Sequence, residues 1–350
     1  SMRRYFVEQT NPVLLIDFAG IKVFDEATVD VNIMTFQKAN NQHNTESCLI
    51  KGFNSDTMKL SDYIIQNSQK ATSYNEKSIS SFVILSDIEQ KIKEKIESVG
   101  IPLKDWDIQI NYGIKTGFNE AFIINGEKKA ELVAKSSKNA EIIRPILRGR
   151  DIKRYGYEFA DLWLISVHNG TETTAAINIE DYPDIKEYLD QYLPQLIKRE
   201  DKGYTPYNLR SCAYMDDFSK RKIGWGNLAL NCQFAIIGEG YFVNAPSAFF
   251  CTEDLYLLAI LNSSTSNYYI KSLGVTRNGG YFEYKPMFVE KMPIPQIPES
   301  NKDIFIELVN EIEKNKNNSQ KKNLLEKRIN ELAFQLYGLT KEEIMFIESL

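Results

Sequence analysis

Residues Asn111–Tyr155 read NYGIKTGFNEAFIINGEKKAELVAKSSKNAEIIRPILRGRDIKRY. A glycine-bearing turn, GIKTGFN (Gly113–Asn119), is followed across a short strand-rich span by a basic turn, RPILRGRDIKRY (Arg144–Tyr155). Glycine lets a backbone turn with positive φ and come close to a ligand. From such a turn Lys115 and Thr116 are placed to donate to phosphate, and Asn119 to reach a base edge. The string is not a Walker loop, which needs GxxxxGK[ST]. In the second turn Arg144, Arg148, Arg150, Lys153 and Arg154 crowd together. Guanidinium forks match guanine edges and phosphate oxygens. Asp151 is expected to hold one or two of these arginines in structural pairs. The bland alternatives are a plain β-turn for the first string and a solvated basic face for the second.

Charge is segregated around these turns. Between Asn111 and Tyr155 ten basic residues stand against five acidic ones, a net +5; between Gly156 and Ile197 eight acidic residues face Lys186 alone. The whole chain carries −5, which by itself argues mildly against nucleic acid. Phosphates respond to a patch within a Debye length of about 8–10 Å, so the local excess decides more than the total.

Bulk properties narrow the class. The 350 residues suffice for two or three domains, and 43% hydrophobic with 25% charged residues is ordinary for a globular protein. No apolar run approaches the roughly 18 residues of a membrane span. The four cysteines lack CxxC spacing and read as reduced, which fits a cytoplasmic location. His43 and His168 are the only histidines, so neither a zinc site nor a Ser-His-Asp device is supported. No GxGxxG follows a strand. There is no secretory signal, and Ser1-Met2 reads as a vector scar, so the sequence is expected to be a piece of a longer chain.

Patterning gives an organisation. Val13–Phe18 and Val29–Lys38 are strand-like, with at least one strand buried on both faces. Ala39–Glu46 is a polar linker, Cys48–Phe53 a strand, and Ser61–Lys77 weakly patterned. A helix follows: Ser86 and Glu89 have capping-box spacing, Ile88, Ile92, Ile96 and Val99 share a face, and Gly100 and Pro102 end it. Strands are expected at 108–112, 121–124, 162–166, 222–225, 235–237 and 248–250. A helix spans 182–199 with Ile185, Leu189, Leu193 and Leu196 inward, kinked or ended by Pro194. Residues 255–261 and 264–272 look helical. VTRNGGYFEY (Val275–Tyr284) has a hairpin tip that offers Arg277 and Asn278 to a groove. KREDKG (Lys198–Gly203) and SKRK (Ser219–Lys222) are secondary basic turns able to touch phosphate. Near the end, Ile304, Leu308 and Ile312 share one helical face and Leu325, Ile329, Leu332 and Leu336 another, suiting a coiled or hairpin packing. Thr340 and Glu343 cap a last short helix.

Assembled in order, NYGIKTGFNEAFIING, EIIRPILRGRDIKRYGY, YPDIKEYLDQY, LLAILNSSTSNYY, EKMPIPQIP and LEKRINELAFQLYGLTKEEI resemble the TaqI-like specificity region of adenine-specific DNA methyltransferases of type IIG restriction-modification enzymes and related phage-defence methylases. The resemblance runs over about Trp106–Leu350. The head of the chain looks like the last strands of that family's methyltransferase domain. The family's NPPY-type tetrad is absent, Asn11-Pro12-Val13 not being one, and so are its glycine-rich S-adenosylmethionine loop and any nuclease domain. The resemblance implies a parent that methylates adenine after base flipping, using S-adenosylmethionine, and Mg if a nuclease is present.

These readings predict an α+β chain: methyltransferase strands over 1–40, a linker and connecting helix over 41–105, a mixed, β-rich DNA target-recognition domain with inserted helices over 106–298, and C-terminal helices over 299–350. The expected partners are double-stranded DNA and the methyltransferase and nuclease domains of the parent, with no membrane. No catalytic, cofactor or metal residue is assigned. The DNA-binding set is Lys115, Thr116, Asn119, Arg148, Arg150, Lys153, Arg154, Arg277 and Asn278. A protein-interaction scaffold that docks a nuclease or partner subunit is the alternative.

Overall fold

The computed structural model of the chain describes residues 2–18, 31–50, 53–54, 57–70, 84–172, 174–273, 276–277 and 280–350, with positions 21, 23, 24, 26 and 29. In chain order the elements begin α1 (Met2–Gln9), β1 (Asn11–Asp17), β2 (Asn32–Gln37), β3 (Glu46–Leu49), α2 (Leu60–Asn67), β4 (Gln69–Lys70), α3 (Asp87–Val99) and β5 (Gly100–Pro102). Next come β6 (Asn111–Tyr112), α4 (Asn119–Phe122), β7 (Ile123–Asn125), α5 (Gly126–Lys135), β8 (Ile143–Leu147), β9 (Ile152–Lys153), β10 (Gly156–Tyr157), β11 (Leu162–Ile165), α6 (Pro183–Asp190) and α7 (Leu193–Lys198). They continue with β12 (Lys222–Trp225), β13 (Leu228–Ala229), β14 (Phe234–Ile237), β15 (Phe242–Val243), β16 (Ala248–Cys251), α8 (Leu255–Leu261) and α9 (Ser264–Ser272). The last are β17 (Thr276–Arg277), β18 (Tyr281–Glu283), α10 (Pro286–Val289), β19 (Pro293–Pro295), α11 (Glu299–Lys314), α12 (Ser319–Leu336) and α13 (Lys341–Glu348). The fold is α+β. It divides into two compact units: Ser1–Gly100 with Tyr268–Phe282 and Phe334–Leu350, and Ile101–Asn267 with Glu283–Ala333.

In the first unit a four-stranded sheet has the order β2-β1-β3-β4. β1 runs antiparallel to β2 and parallel to β3. The strand expected to be buried on both faces is β1, where Leu15 and Ile16 are inside; Ile33 and Phe36 of the edge strand β2 stay exposed. Helix α2 lies in the stretch that sequence patterning left unassigned. Helix α3 opens as its capping residues predict, with Glu89 accepting from both the amide and the hydroxyl of Ser86. Ile92 and Ile96 are buried, whereas Val99 at its end is exposed. Thr340 and Glu343 cap α13 reciprocally. The Glu343 carboxylate also takes Lys95 Nζ of α3 at 2.8 Å.

The second unit carries two four-stranded sheets, ordered β15-β8-β11-β7 and β14-β12-β16-β6. β12 and β14 are buried along their whole length, so neither shows polar alternation. Phe122, Ile146, Leu164, Ile185, Leu189, Leu196, Phe218 and Phe249 belong to one core that draws on both sheets and on α6 and α7. Three expectations need correction. Residues 121–124 are not one strand: Asn119–Phe122 forms a helical turn and only Ile123 onward pairs with β11. The 182–199 helix is two, with Pro194 in the first turn of α7, where its missing N–H is harmless. On α11 the inward face is Phe305, Val309 and Ile312, with Ile304 exposed. That face packs on the wholly buried α8, with the Phe305 and Tyr256 rings 5.2 Å apart, rather than forming a simple hairpin with α12.

Candidate nucleic-acid interface

Both sequence-selected turns lean on one stretch, 243–247. Beyond β6, Gly113 N donates to Ser247 O (2.7 Å) and Ile114 N to Val243 O (2.7 Å). Ala245 N returns a bond to Ile114 O (3.0 Å). On the other side, Asn244 N donates to Leu147 O (2.8 Å) where β8 runs into the second turn. The two turns therefore flank a common backbone. A methyl group on Gly113 would stand 2.5 Å from Val243 O, and one on Gly149 would stand 2.9 Å from Ser247 Oγ and 3.0 Å from Gly226 Cα. These glycines admit protein backbone where the sequence reading expected ligand. Gly117 is a true turn glycine, with φ +70°.

The first turn is fixed from inside. Thr116 is buried; its hydroxyl donates to Asn119 Oδ1 (2.6 Å) and accepts from Phe118 N. It is not presented to a phosphate, which corrects its expected role. Thr116 O is held by buried Arg199, which also donates to the carbonyls of Asp201, Pro206 and Asn208. Burial pushes the Arg199 guanidinium down to about 10, still protonated at neutral pH. Arg199 was read as a basic turn open to phosphate; the structure makes it an internal clamp. Lys115 is exposed and pairs with Asp201 at 2.7 Å, and Arg210 shares that carboxylate at 3.2 Å. The hydrogen bond from Lys115 is the main reason the Asp201 carboxyl lies below its usual range. Asn119 is exposed.

In the second turn the arginines divide. Arg148 donates from Nε and Nη2 to the two oxygens of Asp151, at 2.9 and 2.7 Å, and from its own amide as well. Burial works to raise the Asp151 carboxyl, but these bonds outweigh it and hold the group low. Arg154 pairs with Glu326 of α12 at 3.3 Å, and its Nε and Nη2 are buried without a hydrogen-bond partner among the described residues. Lys322 of α12 donates to Arg154 O (3.3 Å). Lys153 Nζ returns to Arg150 O at 2.8 Å. Arg150 is exposed, and its guanidinium has no hydrogen-bond or ion-pair partner among the described residues. SKRK divides likewise: Lys222 is fully buried against Phe218 O, and Lys220 pairs with Asp217.

Arg277 lies in β17, paired with Tyr281 of β18 in the first unit; Asn278 falls outside the described residues. One neighbour of the second turn escaped sequence reading. The stretch that starts at Gly226, packed on Gly149, runs through β13 and carries Leu228 and Leu230, about half exposed at 52% and 48%. In a sequence such leucines look like core. Among the described residues no group of three His, Cys, Asp or Glu is placed to hold a metal, and no helix is long and apolar enough to cross a membrane.

Residues 144–294 match the family model of the TaqI-like C-terminal specificity domain. The matched segment takes in the second turn, the 243–247 stretch and the stretch from Gly226. In fold, the chain is similar to a solved structure of the type IIL restriction-modification enzyme MmeI in complex with DNA: TM-score 0.65, 11% identity, covering 97% of this chain and 45% of that one. The type IIG restriction endonuclease BpuSI aligns at TM-score 0.45 and 14% identity, over 96% of this chain and 45% of its own. The chain thus spans under half the length of either. No curated protein matches it.

Proposed function

We propose that the chain is the DNA target-recognition part of a restriction-modification enzyme, and that it holds duplex DNA for adenine-specific methyl transfer in the cytoplasm. The reading rests on one coincidence. The specificity-domain match covers the basic turn in which Arg150 stands exposed and free of internal pairing. Arg150, Lys153 and Lys115 bind backbone phosphates, and Asn119 reaches a base edge. Arg148 shapes the turn through Asp151, and Arg154 anchors its end through Glu326. Arg277 and Asn278 are assigned to base edges on residue type alone. S-adenosylmethionine, and Mg if the parent cuts DNA, belong to catalytic segments beyond these residues.

Duplex binding measured by fluorescence anisotropy between about 50 and about 200 mM salt tests the reading, because each neutralised phosphate adds about 0.9 to the slope of log K against log salt. Salt-dependent binding is expected, and Arg150→Ala should lower the slope by about that amount. Lack of binding at the lowest salt would overturn the reading in favour of a protein-interaction scaffold. Incubation with labelled S-adenosylmethionine and mixed DNA should leave no methyl group on the DNA; incorporation would show that the chain is itself the catalyst.

A further inference from the structure

A basic stretch runs from the last residue of α11 into the first turn of α12. It spans Lys314–Lys322, KNKNNSQKK, with four lysines, four amide side chains and no acid. Lys314, Lys316 and Lys321 are exposed and Lys322 is half-buried. Part of this charge is balanced inside the protein, since Lys314 and Lys321 both reach Glu311, at 3.0 and 3.3 Å. Lys316 has no hydrogen-bond or ion-pair partner among the described residues. A concavity of about 490 Å³ opens on the same segment, lined by Asn318, Gln320, Lys321, Asn323, Leu324 and Lys327.

Its position gives this charge a meaning. Lys322 Nζ sits 3.3 Å from Arg154 O, and Glu326, one turn further along α12, holds the Arg154 guanidinium. The lysine turn therefore adjoins the Arg148–Arg154 turn within one compact unit. It lies outside the segment matched by the specificity-domain model. Lysines with amide neighbours suit phosphodiester oxygens, which need donors and positive charge but no base geometry.

We propose that Lys314–Lys322 is a second phosphate-contacting element, which grips the backbone of the same duplex beside the Arg148–Arg154 turn, with Lys316 and Lys321 as its main cations. The inference rests on the DNA-binding reading above. Lys316 and Lys321 add contacts to the backbone and none to bases, so they strengthen binding to every sequence alike.

The test compares wild type, Lys316→Ala, the Lys316→Ala/Lys321→Ala pair and the charge-retaining Lys316→Arg/Lys321→Arg pair on a mixed-sequence duplex. Anisotropy is recorded across the same salt range, with thermal melting as a check on folding. Lys316→Ala, which breaks no internal pair, should lower the salt slope by about 0.9 and the double alanine variant by about 1.8. The arginine pair should keep the wild-type slope. Wild-type binding with an unchanged slope in Lys316→Ala and in a folded double variant overturns this inference and leaves the DNA-binding reading intact. Failure of the wild type to bind duplex overturns both.

Discussion

At the scale of single residues, the decisive question for each cation is whether protein or solvent faces it. Arg199 has four carbonyls around it and a phenyl ring, that of Phe122, 4.4 Å from its guanidinium carbon. Hydrogen bonds to a charged group are worth roughly 1.5–3 kcal/mol each, and buried carbonyls left without partners cost more than the bonds lost. Arg199→Met should therefore destabilise the chain by about 3 kcal/mol or more in urea denaturation. It should weaken DNA binding only through the loosened 113–119 turn, with little change in salt slope. Lys222 poses the same question with a proton at stake. Burial lowers its ammonium from 10.5 to about 8. Between those values the unfolded chain holds a proton that the folded one has lost, so stability rises with pH across that window. Below about pH 8 both states are protonated and the desolvation cost is fully present. Denaturation at pH 7.5 and 9.5 should show wild type gaining stability relative to Lys222→Met. A flat difference would mean that the carbonyls of Phe218 and Lys220 fully compensate the buried charge.

At the scale of elements, the contact between the two turns and the 243–247 stretch depends on glycine. Gly149 meets Ser247 and Gly226, while Gly156, a few residues on, has open space around its Cβ position. Gly149→Ala should cost about 1–3 kcal/mol through overpacking, and it should weaken DNA binding by displacing Arg150. Gly156→Ala should be close to neutral in melting temperature. A similar loss in both would show that the close approach at Gly149 does not set the cost, since the lower unfolded-chain entropy of alanine acts in the stabilising direction. The same elements show what sequence could convey. Capping residues declared α3 and α13, and continuous apolar runs declared β14 and β16, because those signals are local. The inward face of α11 was misjudged because its partner α8 lies more than forty residues upstream, and only that partner decides whether Ile304 or Phe305 is covered. The candidate site was legible as charge and glycine. Pairing was legible only in part: Asp151 was expected to hold one or two of these arginines and does hold Arg148, but nothing in RGRDIKR says which arginine it takes or that Arg150 is left to solvent.

At the scale of the whole molecule, each unit is assembled from distant parts of the chain. The first gathers three segments, and the ion pair of Lys95 with Glu343 joins two of them across 248 residues of sequence. Glu343 is nearly inaccessible. Burial alone would raise its carboxyl, but bonds from Lys95 and Thr340 prevail and lower it. A carboxyl whose folded value lies below its unfolded one contributes stability above the unfolded value, and that contribution is lost as pH falls through the folded one. Glu343→Gln should thus destabilise the first unit at pH 7 by about 1–3 kcal/mol, the worth of hydrogen bonds to a charged group. The difference from wild type should shrink as the pH drops below about 4.5, where the unfolded carboxylate takes up its proton. Limited proteolysis can follow this unit separately, because its sheet lies within the first seventy residues. Faster cleavage there in Glu343→Gln, with DNA binding unchanged, would locate the pair's role in holding three segments together. Loss of DNA binding at full stability would instead tie this remote pair to recognition.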